Sequence, residues 1–185
     1  MIDRMIGAAR LDPRVYEEVE ADTSATLQAA IVVTVVALFA GIGSAIGAIM
    51  FNANALFDVP GGPIGVVVVR IIVALIGWGV WALITYVVGT AIFEGTADWG
   101  ELLRALGFAQ TPGILSIFSF IPCLGAIIGA IVSLWVLLAS LIGVRQALDF
   151  STSKAVQTVL IGWLINFVLN IFVTTGSAGL FGLFG

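Results

Sequence analysis

Two sets of polar residues interrupt long apolar runs and are the first candidates for chemistry. Arg70 stands six residues inside an uncharged run that opens near Ile64. On a helix that is about 9 Å from the end, at roughly 1.5 Å per residue. A charge at that depth either serves a site or snorkels back to headgroups or to Asp58. The second set is Lys154, Thr158, Gly162, Asn166, Asn170 and Thr174, spaced four apart. Each step of four drifts about 40° round a helix, so the set follows an i,i+4 ridge. Asn166 and Asn170 would make interhelical hydrogen bonds of about 1 kcal/mol each, or the set would form a hydrated polar track with Arg70 and Thr158. Arg70 is expected to pack near Asn166 or Asn170.

Other chemistry is limited by what the chain lacks. It has no histidine and a single cysteine, Cys123. The usual neutral-pH base and the commonest metal ligand are missing, and an internal disulfide is excluded. No phosphate loop, dinucleotide fingerprint, HExxH or GxSxG pattern occurs. No catalytic, metal or cofactor-binding residue is therefore assigned, no cofactor is expected, and the chain is read as no enzyme. A net charge of −4 argues against nucleic acid as a partner.

The elements that hold these residues belong to a membrane protein. Of 185 residues 61% are hydrophobic and only 10% charged, against about a quarter charged in soluble domains. Residues 1–26 form a polar head. Ile2, Met5, Ile6 and Ala9 recur at helical spacing, as in an amphipathic turn on a membrane surface. Asp12 before Pro13 reads as a helix start. Glu17 and Glu18 follow, in a leader that is either a solvated juxtamembrane helix or a dock for a basic partner. The first apolar run begins only after this leader, with more spans behind it, so no cleavable signal peptide is expected. Asp98 reads as a second helix cap, and Arg145 and Asp149 as an i,i+4 pair. Gly43 with Gly47, and Gly125 with Gly129, are small-residue pairs of the kind that pack helices together. Residues 176–185 are an apolar, glycine-rich tail.

The number of spans turns on Phe118 to Ile127, where Pro122-Cys123-Leu124-Gly125 separates two apolar runs. Pro112 to Val144 is too long for one span of about 20 residues and short for two. Two spans require the first to reach back to Leu102, with a kink at Pro112. Positive charge chooses between a full span and a re-entrant dip. Five spans with the N-terminus inside put Arg4, Arg10, Arg14, Arg104, Arg145 and Lys154 inside and Arg70 alone outside. A re-entrant segment would move Arg145 and Lys154 outside. The expectation is an all-α polytopic membrane protein with spans at about 27–50, 64–93, 102–121, 125–144 and 155–175, the C-terminus outside.

ELLRALGFAQTPGIL, the IPCLG turn and the polar loop before the last run carry a family pattern. Phe108, Pro112, Ile121-Pro122, Leu124-Gly125 and Ser151 to Ala155 match it. Over about residues 10–175 the chain resembles the Yip family, membrane proteins named for interaction with Ypt/Rab GTPases. The resemblance implies five spans and a cytosolic N-terminus. The chain lacks the long cytosolic leader of the eukaryotic members, which act in vesicle trafficking and membrane shaping, and looks like a minimal prokaryotic member.

The functional expectation is a non-enzymatic scaffold in a prokaryotic plasma (inner) membrane, in contact with the lipid bilayer. It would associate with itself or with other membrane proteins. Glu17, Glu18, Arg104 and Arg145 would form its partner-facing rim. The alternative is a small transporter or channel whose wall is Arg70, Thr158, Asn166 and Asn170.

Overall fold

A computed structural model of the protein describes residues 1–51 and 62–165. Among these residues the chain forms helices and no strand. α1 is Ile2–Ala9, α2 Pro13–Ala21, α3 Ala25–Phe51, α4 Gly62–Phe93 and α5 Trp99–Ala109. A 3₁₀ segment follows at Thr111–Phe120, then α6 at Leu124–Ala147. The last described helix, α7, covers 152–165. Asp58, Asn166, Asn170, Thr174 and the tail 176–185 lie outside the described residues.

α3, α4 and α6 are each long and apolar enough to cross a membrane. Their bounds fall within a few residues of the three corresponding expected spans. The short helices start as their caps dictate. The Asp12 carboxylate accepts the Arg14 N–H at 3.1 Å, and Asp98 and Glu101 form a reciprocal capping box, each bond 2.8 Å. α1 and α6 end alike. Leu11 and Asp149 take positive φ, and the next two amides close back onto the last turn, Asp12 N–H to Gly7 and Phe150 N–H to Arg145. That geometry turns the chain off α6 at Asp149. The expected Arg145–Asp149 pair is not among the ion pairs of the described residues.

The expected helix over 102–121 is instead two pieces. Pro112 has no N–H to give the Phe108 carbonyl, and the Thr111 hydroxyl donates to that carbonyl at 2.7 Å. From Thr111 the chain is 3₁₀, although such runs rarely exceed 3–4 residues. Its steeper rise, about 2.0 Å per residue, makes the segment longer than an α-helix of the same number of residues. A Cβ added at Gly107 would meet Ala29, one at Gly113 would meet Val36, and Gly43 and Gly47 face Ser116–Ile117 and Phe120. These contacts climb in step. α5 and the 3₁₀ segment therefore run parallel to α3 from Ala29 to Gly47, roughly 27 Å of helix.

The turn that follows is tight. Leu124 N–H donates to Pro122 O at 2.7 Å around Cys123, whose φ is 63° and ψ −51°. This is the rare γ-turn with positive φ, a strained conformation for a residue with a Cβ. α6 then runs back along the 3₁₀ segment, with Gly125 against Ser119.

Candidate functional site

The polar residues collect at one end of the bundle. α1 and α2 fold against each other and dock onto α5 and the C-terminal half of α6. Arg4 on α1 reaches Glu18 at 2.7 Å and Asp22 at 2.9 Å. Tyr16 is fully buried, donates to Ala8 O at 3.1 Å and rests on Gly143, whose missing side chain makes the space. Burial pushes its phenol far up from the ordinary value. Trp135 on α6 donates to Ala9 O at 2.7 Å.

Arg104 ties this end together. It is only 5% exposed, and its Nε donates to the carbonyls of Val19 at 3.0 Å and Glu20 at 2.9 Å. Those carbonyls close α2 and have no partners within the helix, so the guanidinium acts as a C-cap from a distant element. Glu101, three residues before Arg104, is held instead by the Asp98 amide. Arg104 thus faces the interior, not the rim where it was expected. Glu17, Glu18 and Arg145 are exposed at this end. Glu17 accepts from Gln146 on α6.

Glu20 is the electrostatic oddity of the site. One carboxylate oxygen is buried with no hydrogen-bond partner among the described residues. Burial first, then Glu101, Asp149 and Glu17, push its carboxyl up to about 7, against a smaller opposing pull from Arg104. Lys154, at the start of α7, donates to Phe93 O at 3.1 Å and sits 5.6 Å from the centre of the Phe150 ring. This closes the α4 terminus at the same end of the bundle.

The expected packing glycines divide. Gly43, Gly47 and Gly125 face the 3₁₀ segment within the chain, whereas a Cβ at Gly129 would meet nothing within 4 Å. Arg70 lines a cavity of about 470 Å³ between α3, α4, the 3₁₀ segment, α6 and α7. The wall is mostly aliphatic and aromatic, with Gln110, Ser116 and Ser133 among its polar members. Trp78 and Trp81 border it too. Trp78 donates to Leu103 O at 3.0 Å, but the Trp81 Nε1 has no acceptor among the described residues. Thr158 is fully buried, its hydroxyl also without a partner among the described residues, and it is not on this cavity's wall. Arg70 and Thr158 are thus not brought together there.

Sequence reasoning missed the Tyr16, Trp135 and Arg104 contacts. The available signal was an arginine in the middle of α5, on a helix otherwise amphipathic, which needed a buried acceptor.

Comparison with known proteins gives one finding: the family model described as the Yip1 domain matches residues 11–174. No curated protein and no solved structure matches.

Proposed function

The chain belongs to the Yip family, and from that premise we propose that it is a non-enzymatic, five-span membrane scaffold that recruits partners at its polar end. In this reading the N-terminus lies inside and the C-terminus outside, in a prokaryotic plasma membrane. The observation that carries the span count is the register of α5 and the 3₁₀ segment along α3. A segment that keeps pace with a spanning helix for roughly 27 Å matches a bilayer core of about 30 Å and not a shallow dip. Arg4, Arg10, Arg14, Arg104, Arg145 and Lys154 then share one side, as the positive-inside rule favours.

The scaffold reading rests on how the polar end is built. α1 and α2 are fixed by ion pairs and by side-chain bonds to helix termini, which holds Glu17, Glu18 and Arg145 on a rigid exposed rim. A rigid charged rim suits docking of a protein of complementary charge. The chain has no histidine, and among the described residues no group of acidic or cysteine side chains is placed to hold a metal ion. A transport path would put Arg70 and Thr158 on one wall, and the cavity that Arg70 lines omits Thr158, so the scaffold reading stands ahead.

A photo-crosslinking residue at Arg145, with one at the outward-facing Leu134 as the reference, tests this in cells. Discrete protein adducts from position 145 and mainly lipid adducts from 134 are expected. Equal patterns from both positions would sink the docking role of the rim.

A further inference from the structure

Arg70 makes no hydrogen bond or ion pair among the described residues. It stands on the wall of a cavity whose α4 lining runs from Arg70 through Val73, Ala74, Gly77 and Trp78 to Trp81. That is about 16 Å of helix axis. The α3 side of the wall, from Val33 to Ala40, is wholly apolar. The volume, about 470 Å³, is within the usual range of roughly 300–1,000 Å³ for small-molecule sites. The shape and chemistry are those of a long apolar slot with one cation at an end. The slot cuts across the bundle between elements that are otherwise packed closely, with Gly41 against Val67 at one level and Gly107 against Ala29 and Trp78 at another.

We propose that this slot holds one phospholipid of the surrounding bilayer with an anionic headgroup. The acyl chain lies along Val73, Gly77 and Val36, and the headgroup phosphate is paired with Arg70. Charge complementarity selects the occupant. An unpaired guanidinium in an apolar helix calls for an anion, and a phosphate takes its planar fork in two parallel bonds. The apolar wall behind it excludes a free ion or a small polar solute, which would leave that surface uncovered. The site is independent of the rim at the other end of the bundle and of any partner docked there.

Gly77 and Gly79 make the test clean. A Cβ at either would meet nothing within 4 Å, so both tolerate a side chain, but only Gly77 is on the slot wall. The purified full-length protein is exposed to phosphatidylglycerol and phosphatidylcholine with identical chains, and retained lipid is counted by native mass spectrometry. Wild type is expected to keep one phosphatidylglycerol in preference to phosphatidylcholine. Arg70→Gln should lower that preference about tenfold, the worth of a charge-assisted pair, while still retaining one lipid. Gly77→Leu fills the slot and should lose both lipids, and Gly79→Leu should lose neither. An unchanged headgroup preference in Arg70→Gln would overturn the selection of an anionic headgroup by Arg70. Unchanged retention in Gly77→Leu would overturn the slot and leave only annular lipid. Displacement by glycerol phosphate, which has the head without the chain, would also overturn it.

Discussion

The two ends of the bundle are held by opposite means. At the polar end, side chains reach across elements to bond helix termini: Arg104 to the close of α2, Trp135 to the close of α1, Lys154 to the close of α4. At the other end the elements meet through missing side chains. Gly43 lies against the carbonyls of Ser116 and Ile117, Gly47 against Phe120 and Gly125 against Ser119. The contrast follows from the solvent each end faces. Where water is near, a bonded strap can be exchanged for hydration, so several straps together set the geometry. Where lipid is near, backbone contact replaces them, because apolar side chains gain little from leaving lipid and close approach becomes the main source of attraction.

The strongest test of that contrast is to add a side chain on each face of the apolar end. A Cβ at Gly43 would lie 2.5 Å from Ile117 O and 2.8 Å from Ser116 O. Both are backbone atoms, which cannot rotate away. Gly43→Leu is expected to cost about 3 kcal/mol or more in a detergent-titrated unfolding curve. Gly129→Leu, into open space, should be neutral or stabilising by up to about 1 kcal/mol, as leucine is the better helix former. Equal losses from both would mean that the 3₁₀ segment does not lie on α3. A selective loss of self-association in Gly129→Leu would instead mark that face as a contact between copies.

The same contrast explains what could be seen in the residues beforehand. α3, α4 and α6 were legible because an uncharged run of that length has few other fates. For residues 102–121 the count of arginines and Lys154 favoured a crossing over a re-entrant dip. The 3₁₀ geometry was not, because hydropathy carries no information on rise per residue. Its local signal was Thr111-Pro112, where a hydroxyl stands beside the proline that removes an amide. The polar end was less legible still. Asp12 and Asp98 announce their caps within four residues, but Arg104 meets Val19 and Glu20 more than eighty positions away. Chain separation hides such a contact. Gly143 likewise looked like one more small residue of α6 and is the seat of the Tyr16 ring.

At the polar end the expected effect is smaller and depends on pH. Glu20 titrates at about 7 in the folded protein against 4.5 for the free side chain. The groups facing it are Glu17 on its own helix, Glu101 and Arg104 on α5, and Asp149 after α6. A raised value means that the docked state holds the proton more tightly. The docking of α2 is therefore strongest below about pH 4.5 and weakens as pH rises through 7. Hydrogen exchange of amides 13–21 should become several-fold faster between pH 5.5 and 8, after correction for the intrinsic rate. Glu20→Gln should remove that dependence and protect α2 at pH 8. Arg104→Met should expose α2 at every pH, since it leaves the Val19 and Glu20 carbonyls without their donor. A pH dependence that survives in Glu20→Gln would assign the titration to another group.

The smallest expected effect concerns the turn between the 3₁₀ segment and α6, and it decides whether the apolar end carries strain or only contact. Cys123 has φ 63° and ψ −51°, and no side-chain bond caps α6 there. A left-handed φ costs a residue with a Cβ about 1–2 kcal/mol. Glycine would remove that cost but loses about 0.5–1 kcal/mol more backbone entropy on folding. Cys123→Gly is therefore expected to stabilise the protein by at most about 1 kcal/mol, read on the same unfolding curve as Gly43→Leu. Cys123→Ala keeps the Cβ and should leave stability unchanged to about 0.5 kcal/mol, because the thiol is exposed. A gain in both variants would trace the effect to the sulfur. A loss in Cys123→Gly would mean that the turn is not strained in the membrane. The Pro122-to-Leu124 bond would then be one of several conformations at that end, and the close packing of Gly43 and Gly125 alone would fix the hairpin.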